Sequence, residues 1–253
     1  MFIDTHCHLD FPEFDADREE IIQNARSLDV GYIINVGSSI EGSERSVELA
    51  RKYDSVYAVV GVHPHEADTF NEQILQRIKQ LAGNQKVVAI GEIGLDYFRN
   101  FSSKEGQLRI FTSLLGLAKE LNLPLVIHSR DAQADTLKII QEFLPLKAVV
   151  HCFSGGVEFL KGCLDLGFYV SYTCNITYKK AQTLRDLVKV TPLERIFLET
   201  DAPYLSPEGM RGKRNHPANV RIVAEEVARI KETDLENVAR ITTENAAQFF
   251  GLK

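Results

Sequence analysis

Two imidazoles stand two residues apart at the start of the chain, in Met-Phe-Ile-Asp-Thr-His6-Cys-His8, at the end of a short apolar run. On a strand, residues two apart share a face roughly 7 Å apart along the backbone, so both rings can converge on one cation at about 2 Å each. Four later apolar runs end in residues of the same kind: Ala-Ile-Gly-Glu92, Leu-Val-Ile-His128, Ala-Val-Val-His151 and Phe-Leu-Glu-Thr-Asp201. Imidazole and carboxylate are the ligands of cations that activate water, so the pattern predicts a hydrolytic metal centre. His6, His8, Glu92, His128, His151 and Asp201 exceed what one tetrahedral ion takes, and two ions about 3.5–4 Å apart account for the surplus. A lone histidine after a strand is more often a packed residue. Here four of only seven histidines fall at the ends of three strands, and without a cation they would crowd ionisable groups into a buried pocket.

The elements that must bring these residues together follow from periodicity. Strands are predicted at 2–6, 32–36, 56–62, 87–93, 124–128, 147–152, 168–172 and 195–200. Helical patterns lie between them; from Gln107 to Leu121, for instance, Leu108, Phe111, Leu115, Ala118 and Leu121 recur at steps of three and four. Strands alternating with helices make a parallel sheet, and eight units in 253 residues favour a closed (β/α)8 TIM barrel, a single α/β domain over 1–253 with two C-terminal helices. The last helix is expected around Glu244 to Phe250, stopped by Gly251. An open doubly wound sheet is the alternative, but no Gly-x-Gly-x-x-Gly follows the first strand. Barrel active sites lie at the C-terminal ends of the strands, where all six candidate ligands fall. The Pro- and Gly-containing stretch 202–217 follows the eighth strand and is expected over the barrel mouth.

Composition narrows the class. Hydrophobic residues at 44% and charged residues at 25% are ordinary for a soluble domain. No signal peptide or membrane-length apolar run is seen, which leads to an expected cytoplasmic setting. Cys7, Cys152, Cys163 and Cys174 show no Cys-x-x-Cys spacing and are read as small buried residues, the first and second turned away from the neighbouring histidines. A net charge of −6 argues against polyanion binding by the whole surface, but Arg211, Lys213 and Arg214 form a local basic cluster.

The motifs Phe2-Ile-Asp-Thr-His6-Cys-His8-Leu-Asp10, Gly61-Val-His63-Pro-His65, Gly91-Glu92-Ile-Gly-Leu-Asp96-Tyr and Ile127-His128-Ser-Arg130-Asp131 resemble those of the TatD family of metal-dependent deoxyribonucleases. His151-Cys-Phe-Ser-Gly155, Glu199-Thr-Asp201-Ala-Pro-Tyr-Leu and Arg211-Gly-Lys-Arg-Asn215 continue the resemblance across essentially the whole chain. It implies a barrel of the amidohydrolase superfamily, with His6, His8 and Asp201 on one divalent cation, His128 and His151 on a second, and Glu92 bridging. Zinc, manganese, magnesium, nickel and iron are left open as the metal. The sequence departs from the family pattern at Cys174, where glycine is common, and at His216, where glutamate is common; both are read as tuning the substrate mouth.

The expected reaction is phosphodiester hydrolysis of DNA, of exonuclease type at single-stranded or frayed ends, with RNA or tRNA as other possible substrates and no obligate protein partner. Asp201 would accept the proton of the attacking water, and Glu92 would hold both ions. His63 would give a hydrogen bond or proton to the phosphate. His65, Arg130, Arg211 and Arg214 are expected to contact substrate, Arg130 otherwise pairing with Asp131 or Asp135. Glu199, sharing a strand face with Asp201, would orient a ligand histidine or form a buried ion pair. Tyr97, Phe98, Tyr172 and Tyr204 are candidates for stacking on bases. Two alternatives keep the barrel: a metal-dependent deacylase acting on the ester of D-aminoacyl-tRNA, and a barrel that binds metal or nucleic acid without turnover.

Overall fold

Eight parallel strands follow one another in chain order around a nearly closed barrel in the computed structural model, which describes residues 1–252. They are β1 (Phe2–Cys7), β2 (Val30–Val36), β3 (Val56–Val60), β4 (Val87–Asp96), β5 (Leu125–Arg130), β6 (Ala148–Val150), β7 (Tyr169–Tyr172) and β8 (Ile196–Leu198). Each neighbouring pair is parallel, and a single bridge from Cys7 to Ala202 brings the first and last segments together.

The crossovers are α1 (Arg18–Ser27), α2 (Ile40–Lys52), α3 (Glu72–Ala82), α4 (Lys104–Leu121), α5 (Gln133–Gln141), α6 (Val157–Asp165) and α7 (Gln182–Val190), followed by α8 (Val220–Lys231) and α9 (Leu235–Phe250). Local chemistry sets several of their ends. Ser39, Asn71, Ser103 and Asp234 accept hydrogen bonds from the first-turn amides of α2, α3, α4 and α9. The α9 helix therefore begins at Leu235, behind the Asp234 cap and nine residues before the expected start at Glu244, and it ends as expected at Gly251 in the left-handed conformation.

The apolar residues divide by strand face. Those pointing outward pack under the helices, while Ile3, Ile34, Val36, Val59, Val126, Val149 and Phe197 form a separate inner cluster with Phe249 and Phe250 of α9. Phe197 stacks on Tyr169 at 4.5 Å and meets Phe249 edge-on at 5.2 Å. The barrel interior is thus filled with hydrocarbon, and the polar residues gather toward the C-terminal ends of the strands.

Two irregularities re-aim the strands where the candidate ligands stand. Register shifts between Asp4 and Cys7 in β1, and between Ile90 and Ile93 in β4, put an extra residue opposite the neighbouring strand. Such a bulge bends a strand and redirects its side chains; His6 and Glu92 lie within these two. Gly94 makes the second possible. Its φ is +142°, and a Cβ there would sit 1.9 Å from the carbonyl oxygen of His128.

The eighth strand is shorter than expected. It ends at Leu198, so Glu199 and Asp201 belong to the following loop and do not alternate on one strand face. That loop is tied to β1: Thr200 donates from its amide and hydroxyl to Asp4 (2.9 and 2.6 Å), Asp201 N donates to His6 O (2.9 Å), and His8 N donates to Ala202 O (2.7 Å). No described helix is long and apolar enough to cross a membrane.

Candidate active site

His6, His8, Glu92, His128, His151 and Asp201 come from five different strand ends and meet around one carboxylate. The two oxygens of Glu92 face different sets of donors. Its Oε2 lies 3.6 Å from His6 Nε2 and 3.9 Å from His8 Nε2, and Asp201 Oδ1 lies 3.9 and 3.5 Å from the same two nitrogens. Its Oε1 lies 3.0 Å from His128 Nδ1, 2.7 Å from His151 Nε2 and 3.3 Å from His63 Nε2. Donors about 2.0–2.2 Å from one ion at tetrahedral angles are roughly 3.4 Å apart, so the first set is spaced like the corners of a coordination shell.

The hydrogen bonds fix which nitrogens are free to ligate. His8 Nδ1 is 2.8 Å from the Val36 carbonyl and must donate to it, which leaves the lone pair of Nε2 facing Asp201 and Glu92. His128 Nε2 is 3.0 Å from Asp96 Oδ2, so Nδ1 turns its lone pair on Glu92. Acceptors facing acceptors in a buried pocket are unfavourable unless a positive charge lies between them. His6 Nδ1 has no hydrogen-bond partner among the described residues. The donor set fits divalent cations.

Without cations, protons take up the same field. Burial opposes charge on His8, but Asp201 and Glu92 outweigh it and push the imidazole up to about 9. Burial also opposes charge on Glu92, yet His151 and His63 hold its carboxyl well below the usual range. Asp201 is likewise held low, against its burial, by its contact with His8.

His63 behaves differently. It also lies near Glu92 and His128, but its Nδ1 accepts from the His65 amide (3.1 Å), so Nε2 carries the hydrogen and donates toward Glu92. Burial pulls its pKa down to about 4, leaving a neutral N–H donor at the edge of the cluster.

Two carboxylates lie behind the candidate ligands. Glu199 accepts from Cys152 N (2.7 Å) and Ser171 Oγ (2.5 Å), and its Oε1 is 3.6 Å from His151 Nδ1. It thus faces a candidate ligand histidine, at a distance longer than a hydrogen bond. Asp96 stands in the Gly91–Tyr97 motif but carried no role in the sequence expectations. Its Oδ2 receives His128 and also His65 Nε2 (3.1 Å), while Oδ1 accepts the amides of Phe98 and Arg99. The spacing Glu92-x-Gly94-x-Asp96 on a single strand was the available signal.

Around the mouth the expectations divide. His65 joins the cluster through Asp96. Arg130 lies over the Phe98 ring at 4.0 Å, while Asp135 accepts the Tyr97 hydroxyl, so no pairing of Arg130 with Asp135 forms. Arg211 covers Tyr178 at 4.6 Å and, with Lys213, lines an open groove of about 470 Å³ formed with Tyr204 and Glu13. Arg214 also borders this groove, but its guanidinium is paired with Asp17 (2.9 Å), which offsets its charge. Tyr172 is buried, its hydroxyl paired with Thr191, and cannot meet a base. Cys174 is buried against Asn215 and Asn219 and is not part of the mouth. Cys7 is buried behind β1, its Sγ near the Ile34 carbonyl, as expected.

A TIM barrel whose strand ends gather four imidazoles and two carboxylates defines a metal-dependent hydrolase. The family model for TatD related DNase matches residues 3–251, and the chain belongs to that family. It is 42% identical over 252 residues to the uncharacterized metal-dependent hydrolase YabD of Bacillus subtilis, covering 99% of both chains. It is 38% identical over 256 residues to a 3'-5' ssDNA/RNA exonuclease TatD of Cronobacter sakazakii, covering 98% of this chain and 97% of that one. The crystal structure of the TatD homologue YjjV of Escherichia coli superposes with a TM-score of 0.94 at 33% identity, covering 100% of this chain and 98% of that one.

Proposed function

We propose that the protein is a deoxyribonuclease that hydrolyses phosphodiester bonds of DNA at single-stranded or frayed ends. It acts as one barrel domain in the cytoplasm, with two divalent cations per chain and no obligate protein partner. The observation that carries the reading is the division of donors about Glu92, one set at each carboxylate oxygen. His6, His8 and Asp201 would hold one cation and His128 and His151 the other, with Glu92 serving both sets. When bound, the cations supply Lewis acidity, favouring ionisation of water and offsetting charge on the phosphate.

The remaining work falls to the chain. Asp201 is the more open of the two central carboxylates, its side chain 15% exposed against 5% for Glu92. With Oδ1 turned to His8, its Oδ2 takes the proton from the attacking water. His63, neutral and donating from Nε2, hydrogen-bonds a phosphate oxygen without surrendering a proton. His65 and Arg130 fix the phosphate on one flank, and Arg211 and Arg214 border the other, where Arg211 and Lys213 carry the uncompensated charge.

The test is hydrolysis of 3'-end-labelled single-stranded DNA by the protein loaded with manganese, zinc or magnesium in turn. Shortened DNA and released nucleotides are expected. DNA left intact while D-aminoacyl-tRNA is deacylated would overturn the reading in favour of an ester hydrolase.

A further inference from the structure

The sequence has 14 phenylalanines and 8 tyrosines, yet among the described residues only Phe98, Phe101 and Tyr204 are exposed aromatics, at 56, 66 and 52%. All three border the candidate active site. Phe98 and Phe101 lie on the loop after β4, and Tyr204 lies on the loop after β8.

Each flank reaches the donor cluster through a short succession of rings. Phe101 meets His65 edge-on at 4.8 Å, and His65 meets His63 at 4.2 Å. On the other side Tyr204 meets Phe11 at 6.1 Å, and Phe11 stacks on His8 at 4.7 Å. Cations alternate with the exposed rings. Arg130 and Arg99 lie over Phe98 at 4.0 and 5.8 Å, and Arg211 and Lys213 line the groove shared with Tyr204.

Resting on the nuclease reading, we propose that Phe98 and Phe101 on one flank and Tyr204 on the other are base-stacking platforms that grip single-stranded DNA on both sides of the scissile phosphate. An exposed ring beside a cation matches the alternation of π-face and phosphate along a single strand. Within a duplex both faces of each base are already covered by neighbours, so these rings find no partner there. Strand selectivity then comes from stacking, with no base edge being read.

The experiment compares a natural single-stranded oligonucleotide with versions carrying a tetrahydrofuran abasic unit at each position near the cleaved end, using manganese-loaded wild-type protein, Phe98→Ala/Phe101→Ala and Tyr204→Ala. The wild type should favour the natural strand over the abasic ones by roughly tenfold or more in kcat/KM, mostly through KM. Each variant should lose that preference at the positions served by its flank, so that the natural-to-abasic ratio falls to about one. A ratio retained in both variants, or equal losses on natural and abasic strands, would overturn the platforms while leaving the nuclease reading intact. Wild-type protein that cleaves neither strand would instead contradict the nuclease reading. Thermal melting of each variant separates loss of fold from loss of stacking.

Discussion

Asp96 Oδ2 lies 3.0 Å from His128 Nε2, and this contact decides which nitrogen of the ring faces the centre. The bond holds the hydrogen on Nε2 and frees Nδ1 to meet the donors around Glu92 Oε1. The same carboxylate oxygen also receives His65, so a single buried side chain ties a candidate ligand, His128, to a candidate substrate contact, His65. Burial opposes charge on Asp96, yet the hydrogen bonds from His128 and His65 keep it ionised far below the usual carboxylate range.

Asp96→Asn is therefore expected to weaken cation affinity about 10–100-fold while leaving the barrel folded. Calorimetric titration with manganese measures it. Unchanged affinity would show that the ring orientation of His128 does not depend on this partner.

Glu92→Gln exchanges one carboxylate oxygen for an amide nitrogen that cannot accept, so one side of the centre loses its oxygen and both lose the negative charge. Glu92→Gln and Asp201→Asn should each lower kcat by at least about a thousandfold on single-stranded DNA. Circular dichroism should still show a folded barrel. Full activity in both variants would remove the assigned roles.

Cation binding should also register as stability, because the donors converge only in the folded chain. A cation at about 100 times its dissociation constant adds roughly 2.7 kcal/mol, which for a chain of this size raises Tm by about 5–10 °C. EDTA should reverse the shift, and Glu92→Gln should show little of it. A melting temperature insensitive to both metal and chelator contradicts the convergence.

Protons and cations compete for the same nitrogens. In the free protein the carboxylates of Asp201 and Glu92 overcome burial and push His8 up to about 9, and Glu92 and Glu199 likewise raise His151. At neutral pH His8 is protonated and must lose its proton to ligate. Cation affinity should therefore climb as pH rises from 7 toward 9, where His8 gives up the proton that a cation must displace. Titration in buffers of different ionisation enthalpy should show proton release at pH 7. Affinity that is flat across this range would contradict the competition.

The convergence of the candidate ligands was legible because barrel geometry sends strand ends to one rim and the chain spends its histidines there. Strand positions were readable from apolar runs, but β4 continues to Asp96 and β8 stops at Leu198, since ladder hydrogen bonds with neighbours set those limits. The surroundings of the site were harder to read. Arg214 pairs with Asp17, distant in sequence, and Arg130 turns to Phe98, because both contacts depend on how loops from different strands fold over the mouth. Tyr172 looked like a mouth residue from its place at a strand end, but its side chain points into the packing under the helices, against Phe153.

The most direct measurement is an anomalous difference map from crystals soaked in manganese. Two peaks are expected, one on each side of Glu92, the first held by His6, His8 and Asp201 and the second by His128 and His151. A map with no peak between these side chains, or with manganese bound only elsewhere on the molecule, would contradict the two-cation centre.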